Sequence, residues 1–271
     1  LSFSLYKRYC GGVDASYAII ADIIGSRHLP DRAGAQRTFL AALDRAAQGL
    51  GLPRPPYASV GDEFQAVAAT LGDALILTLR THLLLPSGHG LRFGVGQGDA
   101  VELDGARGAA GAPIQDGSAW WAARDAIEHA HALQDRGDLF ARTWLRCSPR
   151  APGGRGGREQ PGDGGQAEGP GDRGLREREA VVNSLLLLRD HAVARLQPRQ
   201  RRMMAGLILG ERQVEIARAE KVSQQAVSDL ARGAGAALLE SHRLLEGLGA
   251  TGAAPAGGAR SAGGARSGGR R

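Results

Sequence analysis

The segment from Ser148 to Gly174 constrains this chain more than any other, because it is almost entirely Gly, Pro, Arg and acid, with no aromatic and no β-branched residue. Such a stretch cannot bury enough apolar surface to offset the entropy of ordering it. It predicts a flexible linker or insertion and divides the 271 residues into two folding units, each long enough to bury a core. The expected organisation is a disordered or mis-started N-terminus over 1–16, which lacks both Met and an apolar h-region, and an α/β domain over 17–147. The linker over 148–174, a helical domain over 175–249 and a disordered basic tail over 250–271 follow.

In the first unit, Tyr17 to Ile24 is short and rich in Ile, which suits a buried strand, and Gly25-Ser26 ends it before a helical stretch from Asp31 to Leu50. Tyr57 to Val60 and Phe64 to Ala69 flank Gly61-Asp62-Glu63, the pattern of a hairpin whose turn presents carboxylates. Leu71 to Leu85 reads as a helix, Leu91 to Leu103 as one long strand, Gln115 to Leu133 as a helix and Leu139 to Cys147 as an edge strand. Gly94, Gly96 and Gly98 thin one face of the long strand and predict close approach by a ligand or another backbone. A carboxylate inside an apolar strand is costly unless something neutralises it, so Asp22 paired in space with Asp62 predicts a site for divalent metal and phosphate. The plainer alternatives are a helix cap or an ion pair between Asp22 and Arg124, with Gly61-Asp62 serving only as a good turn.

The order of these elements resembles the class III nucleotidyl cyclase fold, an α/β arrangement of ferredoxin-like type. The matching residues are Ala21-Asp22-Ile23-Ile24-Gly25-Ser26, Gly61-Asp62-Glu63-Phe64, Arg92 to Asp99, and Trp121-Ala122-Ala123-Arg124. The resemblance implies that Asp22 and Asp62 hold Mg²⁺ or Mn²⁺, that the backbone at Ile23, Gly25 and Ser26 cradles phosphate, and that Arg124 is the transition-state arginine. Trp120 stands where that family places an Asn, and Lys7 and Lys221, the only lysines, lie outside the core motifs. A positioned polar donor is worth about 3 kcal/mol of barrier, so binding of a purine nucleotide without turnover is the expectation, an active purine nucleotidyl cyclase the alternative, and a non-catalytic scaffold a third reading. The full layout, with Trp120-Trp121-Ala122-Ala123-Arg124 after Asp116-Gly117, resembles the SatD family of bacterial proteins.

In the second unit, Pro198 to Leu209 starts with proline at a helix entrance and places Met203, Leu207 and Ile208 toward a core. Gln213 to Ala217, the turn Lys221-Val222-Ser223 and the helix opening at Gln224 predict a helix-turn-helix, with Ser223 as N-cap and Ala217 at the helix crossing. Lys221 stands where such turns usually have glycine, and a left-handed conformation there would cost roughly 1 kcal/mol. The unit resembles the fourth region of sigma factors. Gln224, Gln225 and Ser228 are the expected base-facing residues on duplex DNA, and Arg199, Arg202, Arg212 and Arg232 the expected phosphate contacts. A helical hairpin that docks or dimerises is the alternative.

The formal charge of +6 agrees with an acidic partner, although much of the arginine excess lies in low-complexity segments. Cys10 and Cys147 have no metal spacing and fit free thiols in a cytoplasmic protein. No apolar run approaches the roughly 20 residues needed to cross a bilayer. A homodimer is expected, with Trp120 and Trp121 as interface aromatics.

Overall fold

The structure, a computed structural model, describes residues 16–59, 61–107, 113–148 and 170–250. The expectations for residues 1–15, for most of 148–174 and for 251–271 lie outside the described residues. Strands β1 (Ser16–Ile23), β2 (Arg54–Ala58), β3 (Glu63–Ala68), β4 (Leu91–Gly98) and β7 (Thr143–Cys147) form one mixed sheet in the order β2-β3-β1-β4-β7. Strands β5 (Val101–Arg107) and β6 (Pro113–Asp116) form a separate antiparallel ribbon. The helices are α1 (Arg32–Ala47), α2 (Leu71–Leu84), α3 (Ser118–Asp135), α4 (Pro170–Arg195), α5 (Pro198–Ile208), α6 (Gln213–Glu220), α7 (Gln224–Arg232) and α8 (Ala236–Ala250). The class is mixed α/β with helices filling the C-terminal part, and no described helix is long and apolar enough to cross a membrane.

Strand β1 lies at the centre and is buried on both faces, which is why its sequence is almost continuously apolar. Ile19, Ala21 and Ile23 pack with Phe39 and Leu43 of α1 and Leu75 and Leu77 of α2. Ala18 and Ile20 face the opposite side, against Trp120, Ala123 and Ile127 of α3. The glycines of β4 make that second face tight. A Cβ on Gly94 would overlap the Ala123 carbonyl oxygen, and one on Gly96 the Ala119 carbonyl oxygen, so the close neighbour is the backbone of α3 and not a ligand.

The predicted strand from Leu91 to Leu103 is broken at Asp99-Ala100. The Asp99 amide donates to Ser118 Oγ (3.0 Å) and its carbonyl accepts from the Ala119 amide (3.1 Å), so its backbone is spent on the start of α3 and cannot continue the ladder.

Both edges of the sheet are closed to further pairing. Edge strand β2 carries Pro55 and Pro56, which have no amide to donate. Along β7 the seal comes from α4. The Leu145 amide donates to Asn183 Oδ1 (2.7 Å), Asn183 Nδ2 donates to the Leu145 carbonyl (2.9 Å), the Cys147 amide donates to Glu179 and the Arg142 amide to Asp190 (3.0 Å).

Helix α4 begins at Pro170, inside the segment read as a linker, and its residues return onto the sheet. Arg189, buried against Asp190, also donates to the Leu75 carbonyl, Thr78 and Thr143, which fastens α4 to α2 and β7 together. Helix α2 is buried on all sides, as its apolar run Ala74 to Leu79 requires. Its outer residues Leu79 and Leu83 belong to the same core as Met203, Met204, Ile208, Ile216, Val227 and Leu238. Arg80 binds the Gln48 carbonyl (2.9 Å) and His242 (3.2 Å), and Arg201 binds the His82 (2.7 Å) and Leu85 (3.1 Å) carbonyls at the end of α2. The helices beyond the composition break are therefore packed into the α/β part through α2 and α4.

Candidate functional site

The register of the sheet builds the first site. Asp22 at the end of β1 is paired with Glu63 of β3 on one side and Arg92 of β4 on the other. Residues directly opposite in antiparallel strands point to the same face, so these three charges stand in a row toward α3. Arg92 grips Asp22 with two bonds of 3.0 Å and donates a third to Gln134 of α3 (3.0 Å). Glu63 takes Arg124 of α3 in the same bidentate way, at 2.6 and 3.1 Å. The Arg124 pKa is raised, first by that hydrogen bond and then by the charges of Glu63, Glu128 and Asp22, with partial burial opposing.

Asp22, Glu63 and Arg124 wall a cleft of about 470 Å³ between the sheet end and α3, lined also by Asp62, Ile127, Glu128, His131 and Asp135. Asp22 and Asp62 do meet at one cleft. Asp22 pairs there with Arg92, not with Arg124 as the ion-pair alternative supposed. Asp62 supplies its carbonyl to the Ile23 amide (3.3 Å), and its carboxylate has no partner among the described residues. Among the described residues no group of three or more His, Cys, Asp and Glu is arranged to hold a metal ion. With both Asp22 oxygens on Arg92, the cleft as it stands offers one uncommitted carboxylate from the predicted pair, and it fits a divalent ion only once that ion pair opens.

The turn at Gly25-Ser26 follows directly on β1. Gly25 is left-handed (φ 69°) and starts a single 3-10 turn over Ser26–His28. Ser26 lines a small recess of about 30 Å³ with Gln36, Gly61 and Asp62. Ile23 is corrected: its amide is taken by Asp62 and its side chain lies in the core, so it offers no donor to a phosphate. Trp120 is corrected as well, since it is 6% exposed and packed under the sheet, leaving Trp121, 49% exposed, as the surface aromatic of the pair. Glu63, Arg92, Glu128, His131 and Asp135 were not singled out from sequence as site residues. The available signal was Arg92 itself, a lone cation in an apolar strand matching the lone anion of β1.

The second candidate site is the pair of helices α6 and α7 with the turn Lys221-Val222-Ser223 between them. Lys221 is left-handed (φ 55°, ψ 48°), alone among the described non-glycine residues in having positive φ. The Val222 amide donates to the Ala217 carbonyl (3.0 Å), and Ser223 Oγ caps α7 by accepting from the Ala226 amide (3.1 Å). Ile216, Ala217, Val227 and Leu230 fill the crossing. Gln224 and Gln225 are exposed at the start of α7, and Ser228 is half-buried. Gln225 donates to Asp229 (2.7 Å), which leaves its carbonyl oxygen free to accept.

Three of the expected phosphate contacts are held in surface ion pairs: Arg202 with Glu220 (2.7 Å), Arg212 with Glu215, and Arg232 with Asp229 (3.5 Å). Arg199, near Glu220, is exposed and makes no hydrogen bond or close ion pair among the described residues, and the same holds for Arg218, near Glu215, and for Lys221, two cations not assigned to DNA from the sequence. Exposed ion pairs are worth about 0 to 1 kcal/mol, so a phosphate exchanges into them at little cost.

Residues 16–142 match the SatD family, in support of the resemblance read from the sequence, and the match stops before α4 and the helices that follow it. No match is found among curated proteins or among solved structures.

Proposed function

We propose, starting from the SatD family match over residues 16–142, that the chain is a DNA-binding regulatory protein whose α/β part is a non-catalytic sensory domain of class III cyclase-like type. The observation that carries this is the exposed start of α7, where Gln224 and Gln225 are solvent-facing, on a motif that also exposes Arg199, Arg218 and Lys221 while Ile216, Ala217, Val227 and Leu230 are packed inside it. Gln reads adenine in the major groove, and the surrounding cations fix register on phosphates.

The sensory reading rests on the cleft. Arg124 is committed to Glu63, and Trp120, buried under the sheet, stands where the cyclase resemblance implies an Asn, which supports binding without turnover. A purine nucleotide with Mg²⁺ or Mn²⁺, the ligand that the cyclase resemblance implies, competes with Arg92 for Asp22. Its binding would draw on Asp62, Gly25 and Ser26 and open the Asp22–Arg92 pair.

The test is duplex-DNA binding by the full chain, followed by fluorescence anisotropy over a salt series. Arg199→Ala is expected to weaken all sequences alike and to reduce the salt slope by about one unit. Gln225→Ala is expected to cost about 1 to 3 kcal/mol on a selected site only. Absence of binding at low salt, or identical behaviour of the two variants on every sequence, rejects the DNA-reading role.

A further inference from the structure

Helix α4 has two opposed faces. Asn183, Leu186, Arg189, Asp190 and Val193 point into the fold. The outward face runs Glu177, Val181, Ser184, Leu188, His191, Arg195, with steps of four and three residues in alternation, all of them exposed. That is the seam spacing of a helix that lies along another helix. Val181 is 55% exposed, Leu188 69% and the flanking Leu185 59%. Leu139, 68% exposed, widens the apolar area, because the next residue, Phe140, packs edge-on against His191.

The charges at the two ends of the seam say what covers it. Glu177 and Arg195 have no partner among the described residues. If a second copy lies antiparallel with the two-fold axis at Leu186, Glu177 faces the second copy's Arg195, Val181 faces His191, and Ser184 faces Leu188. Each facing pair joins one position of the four-step to one of the three-step, as an antiparallel helix pair requires. The same operation satisfies both ends at once, the signature of an isologous contact. A parallel pair would instead set Glu177 against Glu177 and Arg195 against Arg195.

We propose that a second copy of this chain docks antiparallel along α4, burying Val181, Leu185 and Leu188 between two Glu177–Arg195 ion pairs. The interface lies on a different surface from Trp121 and is independent of what the cleft or the helix-turn-helix binds.

Sedimentation velocity of the full chain at micromolar concentration tests it. The wild type is expected to be a dimer and Leu188→Glu a monomer. Glu177→Arg and Arg195→Glu are each expected to weaken dimerisation about tenfold at low salt, by setting like charges against one another. The combined variant, with both charges exchanged, is expected to recover the wild-type dimer. All three positions are exposed, so folding is retained, and circular dichroism checks it. A monomeric wild type, a dimer indifferent to Leu188→Glu, or a combined variant no better than the single ones overturns the proposal.

Discussion

Asn183→Leu, which keeps the branching and heavy-atom count of the side chain but removes its polar atoms, is expected to unfold the sheet edge. Asn183 is 3% exposed and serves two backbone groups of Leu145, itself 0% exposed, accepting from its amide at 2.7 Å and donating to its carbonyl at 2.9 Å. Leucine fills the space and bonds neither. A buried backbone group left without a partner costs about 1 to 3 kcal/mol, so two cost about 4 kcal/mol in the middle of that range. Set against a total of about 5 to 15 kcal/mol for a folded protein, this is a large fraction. In urea unfolding, with a slope of about 2 kcal/mol/M, the midpoint should fall by about 2 M. Hydrogen exchange at the Leu145 amide should quicken by more than the loss of global stability explains. A variant within about 0.5 kcal/mol of wild type, with Leu145 still protected, would refute the view that α4 completes the sheet.

Two further outcomes follow from the charged interior. His82 is fully enclosed, and its pKa is well below the ordinary 6.5, first through burial and then through the nearby Arg189, Arg142 and Arg201; burial likewise lowers His242, with Glu246 opposing and Arg80 reinforcing. Below pH 6.5 the unfolded chain takes up protons that the folded one refuses, so stability is full above that pH and falls as pH drops, by at most about 1.4 kcal/mol per pH unit for each histidine. Urea unfolding free energies that stay flat between pH 7.5 and 5.5 contradict this. Arg92→Met should lose about 2 kcal/mol, less than a fully buried pair because Asp22 keeps 26% side-chain exposure, and millimolar Mn²⁺ should restore part of it by occupying the freed Asp22 beside Asp62. Thermal shifts with and without Mn²⁺ that are equal in wild type and variant would show that the two aspartates do not act together.

What the sequence made legible was local. The Ser223 cap, the left-handed Lys221 and the helix starting at Gln224 each depend on neighbours within four residues, and each stands where the spacing put it. The glycines of β4 announced a close approach, and only the packing of α3 identified the neighbour as backbone. The partner of Asp22 was hidden because it depends on the register between β1 and β4, strands separated by two helices and a hairpin. Arg189 was equally illegible: an arginine in a leucine-rich helix reads as a solvent-facing charge, yet carbonyl and hydroxyl acceptors from α2 and β7 meet it in the interior. The break at Ser148 to Gly174 predicted separable units from composition alone, and composition carries no information about the side chains of α4 that return to β7.

That return sets an order in time. The ribosome completes β7 at Cys147, while the residues that seal its open side, Glu179, Asn183 and Asp190, are made later. At about 5 to 20 residues per second the gap lasts a few seconds. During it the nascent sheet has one edge already blunted by Pro55 and Pro56 and the other still bare. The polar, glycine-rich stretch that separates β7 from α4 thus fixes how long a growing chain presents a strand that its neighbours on the same message can pair with.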